Sequence, residues 1–201
     1  LLMKRILKYS LLLLVGCSTP YQLPSQYQLA PKTTETVKNP YFSVGEQYLY
    51  RATITTYGHT FSGLLAAKLT ADNSWRVALT TDFGNTLFDF EKKEGRVEVN
   101  YALPDLNRKV IINTLIADFQ KLLQTHFVVI QKYVDGTTEV QQCSVGSDTV
   151  YLFTSGTNLS KQLNMKAKSL YTTFTYTPDN ITIEHHTLKI QIVLEPIHNR
   201  S

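Results

Sequence analysis

From about residue 43 onward, apolar residues fall on every second position in one short run after another, with a turn signal closing each run. Gln47–Tyr57 is β-branched and aromatic. In Thr60–Thr70, Phe61, Gly63, Leu65, Ala67 and Leu69 share a face, and in Ser74–Phe83, Trp75, Val77, Leu79 and Phe83 alternate with Arg76, Thr80 and Asp82. Phe88 and Phe90 lie on one side of Thr86–Glu91, followed by Val97, Val99 and Tyr101. Period-two alternation between short turns is the pattern of a half-buried antiparallel meander. The period then changes. After Pro104-Asp105, the residues Ile111, Ile112, Leu115, Ile116, Phe119, Leu122 and Leu123 recur at helical spacing and predict a helix from Leu106 to Gln124, with Asp105 at its N-cap or in its first turn. Strand patterns resume at Phe127–Val134, Thr138–Cys143, Thr149–Thr154, Leu170–Thr177, Ile181–His186 and Leu188–Leu194. The expected fold is α+β, a strongly curved antiparallel sheet covered by one long helix.

The first 42 residues follow different rules. Lys4, Arg5 and Lys8 precede an apolar run, Leu11–Val15, too short for a membrane helix, which needs about 20 apolar residues. Residues 1–16 thus predict a signal peptide, with Met3 as its start. Leu14-Val15-Gly16-Cys17 resembles the bacterial lipobox, which makes Cys17 the expected lipidation site and implies diacyl or triacyl (palmitate-type) anchoring. Ser18 after that cysteine resembles an outer-membrane sorting pattern. Residues 17–42 carry Pro20, Pro24, Pro31 and Pro40. They form either an extended tether of up to about 75 Å or, given Tyr21, Leu23, Tyr27 and Leu29, a segment lying along the domain that spans 43–201.

Charge narrows the classes further. Three of the 20 basic residues and none of the 16 acidic ones precede Cys17, which leaves 17 against 16 and a nearly neutral remainder. Such a balance argues against nucleic acid. It also suggests that an acyl anchor alone carries any membrane association. Chemistry-bearing motifs are sparse. His185 and His186 are strand neighbours facing opposite ways, so they do not predict a shared metal and read as solvated histidines. Cys143 sits in a plain strand, and no G-x-S-x-G elbow or phosphate-binding glycine loop occurs. No cofactor, metal or catalytic residue is expected.

The run Leu79-Thr80-Thr81-Asp82-Phe83-Gly84-Asn85-Thr86, with Phe88, Gly95, Val97 and Val99 and then a helix after a proline-containing loop, resembles the bacterial lipoprotein-localisation receptor LolB and its relatives over about Thr60–Leu123. No Trp-rich stretch follows the helix, a departure from that family. The resemblance implies an unclosed half-barrel of about eleven strands, shared with the carrier LolA, whose apolar interior holds acyl chains. It implies lipid-binding roles for Phe61, Leu65, Leu69, Trp75, Val77, Leu79, Phe88, Phe90, Val97, Val99, Tyr101, Ile112, Leu115, Ile116 and Phe119. It places the family's membrane-inserting loop on Phe83 and Gly84, although Phe83 also continues the Trp75-Val77-Leu79 core face. Expected partners are the membrane, acyl chains of lipoproteins or other envelope lipids and a periplasmic carrier protein. The expected site of action is the outer membrane, with a monomeric domain facing the periplasm. The other class left open is a non-enzymatic envelope scaffold or protein-interaction module with a solid core.

Overall fold

The computed structural model describes residues 20–32, 34–71 and 74–197, so the signal-peptide and lipobox expectations, Cys17 included, lie outside the described residues. The N-terminal part forms β1 (Gln28–Leu29), β2 (Glu35–Lys38), β3 (Gln47–Thr56), β4 (His59–Ala71), β5 (Ser74–Thr80), β6 (Thr86–Lys93) and β7 (Arg96–Ala102). The one helix among the described residues, α1 (Lys109–Leu122), follows. The chain then continues through β8 (His126–Asp135), β9 (Thr138–Val145), β10 (Asp148–Ser155), β11 (Asn158–Lys166), β12 (Ser169–Tyr176), β13 (Ile181–His185) and β14 (Ile190–Pro196). All fourteen strands join one antiparallel sheet in the order β1-β8-β9-β10-β11-β12-β13-β14-β3-β4-β5-β6-β7, with β2 also on β8.

This corrects the α+β expectation. The protein is mainly an open antiparallel sheet with fourteen strands rather than about eleven, and the helix that was to cover it has 14 residues, a length of about 21 Å. Two physical causes account for the difference. Pro104–Asn107 forms a hydrogen-bonded turn, with Leu106 N and Asn107 N both donating to Leu103 O, so the helix starts at Lys109 instead of Leu106. Asn158–Lys166 was missed because β11 is buried on both faces. Leu163 and Met165 lie under an N-terminal segment, while Gln162 and Asn164 are fully buried in a polar chain in which Tyr176 Oη donates to Gln162, Gln162 to Asn164, and Asn164 to Thr172.

The N-terminal segment takes the second of its two predicted forms. Tyr21 and Tyr27 pack against Tyr151 and Phe153 at 5.5 and 5.8 Å between ring centres, and with Leu23 they cover Val140, Leu163 and Met165, a cluster separate from the core that α1 fills. The chain then returns along the outer edge of β8 as β1 and β2. Residues 20–32 and 34–38 are therefore a docked strap. Farther on, Asn39 and Phe42 are buried, and Tyr41 stacks on Tyr176 at 4.6 Å.

In the main core, Ile111, Ile112, Leu115, Phe119 and Leu122 of α1 are buried against the sheet, and Phe119 meets Phe88 at 5.6 Å. Ten of the fifteen residues expected to line an acyl cavity are buried in this continuous core: Leu65, Leu69, Trp75, Val77, Leu79, Phe88, Phe90, Ile112, Leu115 and Phe119. Phe61, Val97 and Ile116 pack at its margin. Val99 and Tyr101 are exposed, because β7 is an edge strand and a bulge opposite Asp89 and Phe90 sets Tyr101 beside the outward-facing Asp89.

Candidate functional site

Strand register gathers a defined set of turns at one end of the sheet. Thr56 pairs with His59 and with Ile190, Thr80 with Thr86, Val145 with Asp148, Lys166 with Ser169, and Thr172 with His185. The β3–β4, β5–β6, β9–β10, β11–β12 and β13–β14 turns therefore share this end. β7 finishes here and β8 starts here, so α1 crosses the same end between them.

Phe83 stands at the tip of the β5–β6 turn with 94% of its surface exposed. The turn that carries it is held closely. Thr81 N donates to Asn85 O at 2.8 Å, Gly84 N to Thr81 O at 2.9 Å, and Asn85 N to Thr81 Oγ1 at 3.1 Å. Gly84 takes φ +85°, a conformation that a Cβ disfavours. Strand β5 buries Trp75, Val77 and Leu79, but the chain leaves the ladder at Thr81, and the alternation that would have put Phe83 in the core ends there. Tyr57 and Val110, 46% and 55% exposed, are further apolar groups at this end.

Between α1 and the turns of β9–β10, β11–β12 and β13–β14 lies an open cleft of about 700 Å³. Lys109, Val110, Thr114, Ala117 and Lys121 of the helix form one wall, with Val145, Asp148, Lys166, Tyr171 and Leu188 opposite. Lys121 is paired with Asp148 at 3.3 Å. Lys121 and Lys166 both lie over the Tyr171 ring, at 5.7 and 5.1 Å from its centre. None of the fifteen expected acyl-lining residues lines this cleft or the four smaller ones that accompany it.

Behind Tyr171 sits a group that strand spacing did not foreshadow. His185, expected to be solvated, is buried, and its Nε2 lies 2.7 Å from Asp118 Oδ2 on α1. Burial pushes the Asp118 carboxyl above its ordinary range, and the hydrogen bond and charge of His185, with Lys121, pull it back. His185 Nδ1 has no partner among the described residues. His186 points the other way, exposed and 2.8 Å from Thr173 Oγ1. The opposed directions of the two rings follow from their positions as neighbours; the acid waiting on the helix did not. Cys143 is fully buried in β9, and burial pushes its thiol up to about 12, so it is not a thiolate near neutral pH. Among the described residues no group of three or more His, Cys, Asp and Glu side chains is placed to hold a metal ion. No described helix is long and apolar enough to cross a membrane.

No protein-family model matches the chain, and no curated protein is significantly similar to it. Neither comparison bears on the expected resemblance to LolB.

Proposed function

We propose that the protein is a membrane-anchored, non-enzymatic lipid-handling protein of the bacterial outer membrane, which engages acyl chains of lipoproteins or other envelope lipids at the bilayer surface. The observation that carries this reading is Phe83: a phenylalanine almost wholly in water on a turn closed by three hydrogen bonds. The turn backbone that presents this ring is already ordered, so little further backbone entropy is lost when the ring, worth roughly 1.5–3 kcal/mol on full burial, enters an acyl layer. Acyl chains would reach the sheet interior only by displacing α1 from the core it fills.

The test is liposome binding by the Phe83→Glu variant. Its affinity is expected to fall about tenfold or more, with thermal stability unchanged because the side chain touches no core. Unchanged affinity would overturn the proposal. The close-packed interior favours a second reading, a scaffold with a solid core. Native mass spectrometry of the detergent-free protein separates the two: a co-purifying lipid supports the first, and a clean apo mass with no uptake of a fluorescent fatty acid supports the second.

A further inference from the structure

The near neutrality of residues 17–201 conceals an uneven distribution. The helix end carries Arg108, Lys109, Lys166, Lys168 and Lys189, and two of the acids there, Asp82 and Asp148, are held by Arg51 and Lys121 at 3.1 and 3.3 Å. Asp105, and Glu184 just inside the β13–β14 turn, are left against those five cations. The far-end turns and loops reverse the balance, with Glu46, Glu94, Asp135 and Asp179 against Lys93 and Arg96. The basic end is also the one that presents Phe83, Tyr57 and Val110.

The strap fixes the same end independently. Tyr21 N donates to Lys168 O at 2.8 Å, so the N-terminal chain leaves the fold at the β11–β12 turn. Cys17 lies four residues upstream of Tyr21, a reach of at most about 14 Å. An anchor on Cys17 would hold this end at the bilayer instead of letting the domain range on a long tether.

Resting on the lipid-handling reading, we infer that the helix end is a docking face for an anionic bilayer, and that the cleft beside α1 takes the acidic head group of a membrane phospholipid. Lys109 and Lys166 stand on opposite walls of the cleft with no ion pair among the described residues, while Lys121 is held by Asp148 and lies, like Lys166, over the Tyr171 ring. Its volume of about 700 Å³ is ample for a phosphorylated glycerol group. Val110, Ala117, Val145 and Leu188 supply apolar wall for the first carbons of the chains. Cations near an anionic surface act within a Debye length of about 8–10 Å, so the charge at this end orients the domain and the acidic far end opposes the reverse approach.

The experiment uses the full chain with Cys17→Ser, so that an acyl anchor does not mask weaker contacts, and vesicles of phosphatidylcholine alone or mixed with phosphatidylglycerol. The expected result is tighter binding to the mixed vesicles, weakened by salt, and at least about tenfold weaker in the Lys109→Glu, Lys166→Glu double variant. Binding to phosphatidylcholine alone should be the same in variant and parent. Both lysines are exposed, and a thermal unfolding midpoint no lower than the parent's checks the fold. Equal binding to both vesicles, or a double variant that behaves like the parent, would overturn the inference. Inorganic phosphate, titrated while the amide signals of Lys166 and Tyr171 are followed by NMR, tests the other source of the same chemistry. Saturation by phosphate without preference for mixed vesicles would make the cleft a soluble-anion site and overturn its lipid assignment. Loss of binding to both vesicle types in Phe83→Glu, with the lysine pair affecting only the anionic one, keeps the two proposals separable.

Discussion

At the scale of single residues, Gly63 shows how closely this sheet is drawn together. A Cβ added there would lie 1.9 Å from Thr80 O and 2.8 Å from the carbonyl carbon, backbone atoms that cannot swing aside. Gly63→Ala is therefore expected to destabilise the protein by about 1–3 kcal/mol, the usual cost of overpacking, read as a lower urea midpoint. Strand β4 approaches the end of β5 at this point, where the chain breaks from the ladder to form the Phe83 turn. The same small residue that looked like one more position on an apolar face thus helps set the geometry of the exposed aromatic. Phe83 was ambiguous in the pattern because alternation counts positions and cannot register where the ladder stops.

Among the elements, α1 is the least well supported by its own ends. Its N-cap is Arg108, in an extended conformation with no side-chain hydrogen bond to the first turn, and no acid occupies that turn. Lys109 places a second cation beside the positive end of the helix dipole. Arg108→Ser should stabilise the fold by about 1 kcal/mol in chemical denaturation, through a new cap and removal of the repulsion. The helix stripe was legible because Ile111, Leu115, Phe119 and Leu122 return at 3.6-residue spacing. Its start was not, because Asp105 resembles a cap while the turn through Leu103 consumes the residues that follow. Strands with one buried face, such as β5 and β6, were legible for the same reason of period. β11 was not, since Leu163 faces the strap and Gln162 the interior, and burial on both sides erases the contrast that alternation depends on. The strap itself left a trace in Tyr21, Leu23 and Tyr27, whose regular spacing in a proline-rich run has a purpose only if something apolar lies beneath.

For the molecule as a whole, helix and sheet are joined by a buried contact that titrates. Asp118 on α1 and His185 on β13 face each other with Lys121 and Tyr171 nearby, and burial raises the carboxyl's proton affinity. A raised carboxyl means that the folded state binds the proton more tightly than the unfolded chain. The stability from Asp118 is thus fully present below its ordinary value of 3.8 and is lost as pH rises through the raised value. Relative to the parent, Asp118→Asn should gain stability on going from acid to neutral pH, a trend that urea midpoints measured across that range would reveal; a constant difference would show that the Asp118 carboxyl is not raised in the folded state. The charge count was correct as a total, yet it could not reveal the polarity of the molecule, because the sorting of cations and acids to opposite ends depends on which turns the register brings together. The strap has a consequence of another kind, in the order of assembly. The hydrogen bond from Gln26 to Asp135 closes a span of 109 residues, and the strand surface it helps cover is made late in synthesis. The N-terminal segment must wait, unpaired, until β8 to β12 exist, and until then Val140, Phe153, Leu163 and Met165 form a bare apolar face. The first part of the domain to emerge is then among the last to find its place, and a chain caught before that step is the form most prone to aggregate.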